Sequence, residues 1–503
     1  MIMEEPIENT RMLNELALAS GRKRKSPQTG FLHYCYNPVD QEPHLTIPPV
    51  ENFLFALALL RSRTIENVQE AKAILEKLLA FQNRCENDPV YGNFPLYLHE
   101  YPACKDRFTG LHCASAIVLI LKCFHQVIGQ DLKNRLEEAL ILSIKQAFSA
   151  YSEKKAGYPN AVKIACTAIA AGRITQERSL EEQGYKLLEQ LRDHPDLACW
   201  FCPSSLGSLT VSLLMVYPQL NDSPWSHFWD HLQTTWHLTT ASYAGPGIKE
   251  WQEGQEPQVT LYDLVCGYFC GAFSARALKE SPVHLEAMLI PTSGERFNAP
   301  SYPIDREGIF NGAKWKIHQE EHFAYSYIEK NALEQDSVYW KGFHPLKLLW
   351  GNRENVHTFV NQGGNASSIT FNTATSALND IDLVYELEGR AELEDREASR
   401  EIQLFISNHE DLDFLISSQK ASTFTLEDSL IIKDNFLTLM MTLTQEDGTG
   451  RFLGHRMLGN RPSQLSHKGN DRFSAYDWQL FLRTISREEN SRIRIKLNIE
   501  TNA

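Results

Sequence analysis

Apolar positions recur every three or four residues from Pro48 to about residue 279, and from Ala313 onward the interval drops toward two. The first pattern predicts amphipathic and buried helices, the second β-strands. Residues 1–45 are polar and read as irregular, with one short apolar helix candidate at Met12–Ala19. ENFLFALALLRSRT and ENVQEAKAILEKLLAFQNRC then read as an antiparallel helix pair broken at Ser62–Thr64. LHCASAIVLILKCFHQVIG is a long apolar helix that Gly129 ends, and residues 131–151 continue as another. GYPN breaks the chain before AVKIACTAIAAG, where Pro159 stops the preceding helix and Asn160 is placed to cap the next. Further helices are predicted at about 179–194, 204–216, 224–238 and 259–279. Helix pairs joined by long aromatic loops, without a strict sequence repeat, predict an α/α toroid, complete or incomplete, over 46–280.

Residues 281–312 carry Pro, Gly and Ser without a period and read as a linker. Beyond them about twelve strand-like runs, from KWKIHQ to RIRIKLNIE, follow with no helix between them. That order predicts an antiparallel β-sandwich over 313–503. The stretch 231–270 joins the two halves. It runs from the aromatic helix of Trp225, Phe228, Trp229 and Trp236 through a Gly-Pro-Gly turn into another apolar helix.

Length and composition narrow the function. At 503 residues the chain has room for two or more domains, and 43% hydrophobic residues can fill large cores. A net charge of −14 argues against nucleic acid as a partner, since phosphate binding needs a basic field. Arg22-Lys23-Arg24-Lys25 is the one basic run, read as a solvated segment or a polyanion contact. The acidic start lacks the apolar core of a signal peptide, and no unbroken run of about eighteen apolar residues predicts a membrane span. All ten cysteines precede residue 271, a pattern of reduced buried thiols that gives a cytoplasmic expectation. Cys199-Trp-Phe-Cys202 has CxxC spacing without a βαβ context, and Cys104, His112 and Cys113 lack a second paired motif. No metal and no cofactor is expected; no membrane partner is expected, and the oligomeric state stays open.

A helical toroid, a linker and an antiparallel β domain in this order resemble the polysaccharide lyases of the hyaluronate/chondroitin and heparinase II/III types. HLTTASYAGPG, residues 237–247, looks like the lyase stretch in which a catalytic His precedes a Tyr- and Gly-rich loop. The resemblance implies His237 as base, Tyr243 as acid, Asn160 as the family's toroid Asn and Arg306 as a cleft residue. Pro246 stands where the family spacing places the tyrosine, and Tyr243 lies three residues earlier. Either Tyr243 serves from a shifted loop, or the activity is altered or lost. β-Elimination needs a group that neutralises the uronate carboxylate, a base for the C5 proton and an acid for the leaving oxygen. His, Tyr, Asn and Arg supply those types. Each also has a plainer reading: His237 as a packed histidine, Tyr243 as a loop anchor, Asn160 as a helix cap.

The loop YGNFPLYLHEYPACKDRFTGLH, 91–112, gathers a second set: Asn93, Tyr97, His99, Glu100, Arg107 and His112 as substrate-binding candidates. Glu100 and Asp106 could there form a carboxylate pair for glycoside hydrolysis. Trp251 and His322 complete the binding set, with His318 and His322 four apart in a strand region and so on one face. GTGRFLGHRMLGNRPSQ, 448–464, reads as a sugar-binding loop or a long β connection. The leading expectation is a lyase-like protein eliminating across a uronate-containing glycan at the junction of the two domains. A non-catalytic glycan-binding or scaffold protein of the same architecture is the alternative, and a glycoside hydrolase the third.

Overall fold

The computed structural model describes residues 6–33, 46–153, 156–219, 223–247, 259–291, 296–297, 300–310, 312–330, 344–362, 366–372, 379–389, 400–462, 476–487 and 489–502. It divides into a helical unit, Met1–Asp230 with Val259–Asn298, and a β unit, His231–Gln258 with Ala299–Ala503. Residues 231–247 thus belong with the β unit, and the chain is back in the helical unit at Val259.

The helical unit contains α1 (Pro6–Arg24), α2 (Pro49–Ser62), α3 (Ile65–Leu79), α4 (Thr109–Ile128), α5 (Gln130–Ser152), α6 (Tyr158–Thr175), α7 (Arg178–Asp193) and α8 (Pro203–Val216). α9 (Ser226–Thr234) follows at the boundary, and α10 (Leu261–Cys270) and the single turn α11 (Val283–Glu286) lie after the excursion. Successive even-numbered helices pack on one another, α2 on α4, α4 on α6, α6 on α8 and α8 on α10, while α3, α5 and α7 back them. This is the double-layered α/α toroid that the sequence predicted. The inner helices are apolar nearly all round; α2 buries every residue from Glu51 to Leu60. The outer helices bury one stripe, as in α7 with Leu180, Gly184, Leu187 and Leu188. Gly184 lets α6 come close, since a Cβ there would stand 2.7 Å from Ile169 Cγ1. α4 is long and apolar enough to cross a membrane by length and composition, and its apolar residues from Leu111 to Leu121 are buried in this core.

The expected helix boundaries shift in places. The N-terminal stretch expected to be irregular forms α1, nineteen residues long, because it packs on α2, α10 and α11, partners mostly remote in sequence. Asn160 does not cap α6. The helix starts at Tyr158 behind Gly157, with Pro159 in its first turn, so Asn160 is inside it. The presumed linker holds α11 and then a strand.

In the β unit a short hairpin, β1 (Trp236–His237) and β2 (Ser242–Tyr243), precedes two antiparallel sheets. β3 (Ile304–Phe310), β4 (Ala313–Gln319), β5 (Phe323–Ile328), β6 (Leu346–Gly351) and β7 (Val356–Gln362) run as a meander. β8 (Ser368–Phe371), β9 (Asp380–Leu387), β10 (Arg400–Ile406), β11 (Asp413–Ile416), β12 (Thr423–Phe424), β13 (Ser429–Lys433), β14 (Leu437–Asp447), β15 (Arg451–Pro462), β16 (Tyr476–Ser486) and β17 (Ser491–Thr501) follow. One sheet has the order β12-β15-β16-β10-β7-β6-β5-β4-β3, the other β11-β13-β14-β17-β9-β8. Alternation drives their packing: in β17 Ile493, Ile495, Leu497 and Ile499 turn inward while the residues between them do not. They share one core with Leu346, Leu348, Trp350, Phe359, Leu404 and Leu480 of the other sheet, which makes a β-sandwich. The stretch 448–464 is mainly strand β15, paired with β16, rather than a loop.

Strands β5 and β6 are buried on both faces. Their outer face is covered by residues from the 231–247 excursion, where Ala244 packs on Ala324 and Leu349. Polar contacts fix that cover: Gln319 Nε2 donates to the Thr234 carbonyl at 2.6 Å and Lys347 Nζ to the Tyr243 carbonyl at 2.7 Å. Gly247 bridges to His344.

Candidate functional site

His237 sits on the β1–β2 hairpin with no exposed surface. Its Nε2 lies 2.9 Å from the Glu320 carbonyl, which can only accept, so Nε2 carries the proton. Nδ1, 2.9 Å from Thr240 Oγ1, then accepts from that hydroxyl. Burial pushes the ring's pKa down to about 4, against backbone contacts that raise it, and His322 pushes the same way as burial. The imidazole is neutral with both nitrogens bonded. Tyr243, at 3% exposure, donates its hydroxyl to the Pro246 carbonyl at 3.0 Å, and Lys347 lies over its ring at 4.9 Å. Gly245 permits this closure, since a Cβ there would come within 2.5 Å of the Tyr243 oxygen. These three hydrogen bonds all lie within the β unit.

Around them the β unit adds charge. His318 in β4 is buried, with Nδ1 3.1 Å from Asp305 and Nε2 3.5 Å from Glu320, and Lys316 also reaches Asp305 at 3.1 Å. Burial works to raise the Asp305 pKa, and the bonds from Lys316 and His318 overcome it, leaving the carboxyl below its usual range. Arg306, next along β3, is exposed. His318 and His322 do not share a strand face as expected: β4 ends at Gln319, and His322 sits exposed in the turn before β5. Trp251 lies outside the described residues.

The helical unit holds the other candidates. Asn93 is fully buried and ties the loop to α4, accepting from Gly110 N at 2.6 Å and donating to the Asp106 carbonyl at 2.6 Å. Asp106 Oδ1 in turn accepts from Phe108 N and Thr109 Oγ1, both at 2.8 Å, and so holds the start of α4. That carboxylate is occupied by helix capping, which weakens it as half of a hydrolytic pair with Glu100. Tyr97 stacks on exposed His99 with centroids 5.7 Å apart. Arg107 reaches toward the Pro89 carbonyl, at 3.5 Å.

His112, on the first turn of α4, meets a residue that the sequence reading passed over. Lys163 of α6 places Nζ 2.9 Å from His112 Nδ1. Burial lowers the Lys163 pKa to about 8 while Glu286, at the end of α11, pulls it up. Burial and Lys163 hold His112 well below the usual imidazole range. Burial raises the Glu286 pKa and Lys163 lowers it, and the residue is exposed at the surface. The signal in the sequence was a lone cation inside AVKIACTAIAAG. Asn160 lies one turn before it on the same helix.

Three metal-type sets can be compared. Burial raises the Cys113 thiol, and the Cys104 thiol to about 11, which disfavours the thiolate. Cys199 lies in a short 3-10 turn and Cys202 just after it, without a disulfide, and Cys199 Sγ lies 3.5 Å from Asp196 Oδ2. In the β unit His357, His409 and Asp434 bring ligand-type atoms within 4.8 Å of one another. Their types suit a zinc-like ion. In the present arrangement the two imidazoles stack at 3.8 Å, and Asp434 accepts from Trp350 Nε1 at 2.5 Å and from two backbone amides.

No family model and no curated protein matches the sequence. Solved structures do match. Heparinase III superposes with a TM-score of 0.51 at 10% identity, over 99% of this chain and 85% of that one. A tyrosine-to-alanine mutant of the Streptomyces coelicolor A3 chondroitin AC lyase gives 0.51 at 10%, over 98% and 79%. The same lyase in complex with chondroitin sulphate gives 0.49 at 8% identity, over 98% and 79%. The fold is that of the polysaccharide lyases.

Proposed function

We propose that the chain is a carbohydrate-active protein of polysaccharide-lyase type, acting by β-elimination on a uronate-containing glycan. The supporting observation is a likeness that runs through both the helical and the β unit to proteins named heparinase III and chondroitin AC lyase. In this reading His237 is the base, Tyr243 the acid, and Asn160 and Arg306 meet the carboxylate. A base needs a free lone pair and an acid a free hydrogen. His237 must then release the Thr240 hydroxyl, and Tyr243 the Pro246 carbonyl, in favour of substrate.

Those same two bonds favour a second reading, a glycan-binding protein that keeps the lyase fold without the reaction. Ultraviolet absorbance of the purified protein with a panel of uronate polysaccharides separates the two. Elimination creates a conjugated double bond, and hydrolysis does not. A rising signal lost in His237→Ala supports the lyase. A flat signal with measurable glycan binding leaves the second reading, and neither reaction nor binding removes both.

A further inference from the structure

Lys163 is the one cation in the apolar run from Ala161 to Gly172, and only 7% of it is exposed. Burying an ammonium is costly unless something offsets its charge. The partner it meets is not a carboxylate. Nζ has only hydrogens to give, so at 2.9 Å His112 Nδ1 must supply the lone pair and the ring keeps its proton on Nε2. Among the described residues Glu286 from α11 acts on Lys163 through its charge, and His112 from α4 meets it directly. The ammonium therefore holds its charge against a neutral acceptor, with two hydrogens still to give. Half-buried His112 presents a further N–H beside it.

We propose that Lys163 and His112 form an anion-holding position of the helical unit, which takes the carboxylate or sulfate of an acidic sugar. Lys163 supplies the charge, and the His112 Nε2–H supplies a directed donor. Asn160, one turn earlier on α6, adds an amide on the same side of the helix. The inference rests on the acidic-glycan reading above and names a charged contact for it that the sequence did not reveal. Glu286 limits the affinity, because a carboxylate near the position competes with an arriving anion.

The test is binding by the full chain, measured by calorimetry at about pH 7 and pH 9, of hyaluronan oligosaccharides, heparin oligosaccharides and a neutral cello-oligosaccharide. Hyaluronan carries carboxylate alone and heparin both anions, so their ratio assigns the anion. With a lysine near pH 8, the charged fraction falls about tenfold across that interval, and wild-type affinity for the acidic probes falls by up to the same factor. Lys163→Arg stays charged and keeps its affinity at the higher pH. Lys163→Gln binds weakly at both, and the neutral probe is indifferent throughout. The wild-type pH profile needs no variant to fold. Acidic probes that bind wild type and both variants alike, with no pH step, overturn the inference and leave the glycan reading standing. Failure of wild type to bind any acidic probe overturns both.

Discussion

His237 makes the stability of the β unit depend on pH, by an amount that follows from its surroundings. The ring is fully buried, neutral, and bonded at both nitrogens to Thr240 and the Glu320 carbonyl. Its pKa is pushed down to about 4, chiefly by burial, from 6.5. An unfolded chain takes up a proton near pH 6.5 that the native chain refuses until about pH 4. The unfolded state binds more protons across that window, so stability is complete above it and is lost as pH falls through it. Between about pH 7 and pH 4.5 this one ring removes about 2.5 kcal/mol. His237→Gln is the informative change, because an amide can donate to the Glu320 carbonyl and accept from Thr240 without titrating. Urea unfolding followed by hydrogen exchange of the β5 and β6 amides reports on the β unit. Wild type should lose about 2.5 kcal/mol more than His237→Gln between the two pH values. His357, also pushed down to about 4, is present in both proteins and cancels. Parallel pH profiles would refute the reasoning: the ring would then be either hydrated or already protonated in the native state.

Other predictions concern buried polar contacts. Arg487 and Glu401 pair with 2% and 1% side-chain exposure, and Thr484 donates to the same carboxylate; Arg487→Met should cost about 3–5 kcal/mol in urea unfolding, with Glu401→Leu added to it recovering most of the loss. Asn93→Ala strands the Gly110 amide and the Asp106 carbonyl and should cost about 1–3 kcal/mol in thermal unfolding; no shift would mean that water replaces the amide. Thr240→Val leaves His237 Nδ1 bare in a buried site and should weaken hydrogen-exchange protection of the β1–β2 hairpin by about 1–3 kcal/mol, which an unchanged exchange rate would contradict.

Much of the architecture was legible because it rests on local periodicity. The three- and four-residue recurrence in α2 and α3 and the alternation in β14 and β17 are properties of the chain itself. What escaped depends on partners remote in sequence. α1 packs on α2 and also on α10 and α11, more than two hundred residues away, so its polar sequence gave no sign of its length. β15 looked like a Gly- and Arg-rich loop, yet Gly454 lies under the Phe424 ring and Arg456 over Phe414 and Trp478, at 4.9 and 4.7 Å from the ring centres. There the neighbouring strands decide the conformation and local propensity does not. The candidate site divides in the same way. His237 and Tyr243 were found through a resemblance of motif, whereas their hydrogen bonds depend on Glu320 and Pro246, which no spacing rule could pair with them. Lys163 was missed because one cation in an apolar run carries no meaning until α4 is seen to set His112 beside it.

The two sets of groups carry opposite electrostatic states, and that bears on the chemistry more than the fold does. His237 is neutral, dry and saturated with hydrogen bonds, so drafting it as a base means breaking a bond to its own chain first. Leaving the Thr240 hydroxyl or the Glu320 carbonyl unpaired in a buried site costs about 1–3 kcal/mol unless substrate replaces the partner. That cost falls on the step and not on binding, so it would lower the rate while leaving affinity untouched. Lys163 is the reverse case. Its charge is already buried and held by a neutral imidazole, so an arriving anion gains its attraction without first displacing an ion-pair partner. On the proposed reading, this arrangement favours binding acidic sugar over cleaving it. Elimination at His237 is therefore expected to be slow relative to binding at Lys163, and any fast turnover would require a rearranged 237–247 hairpin.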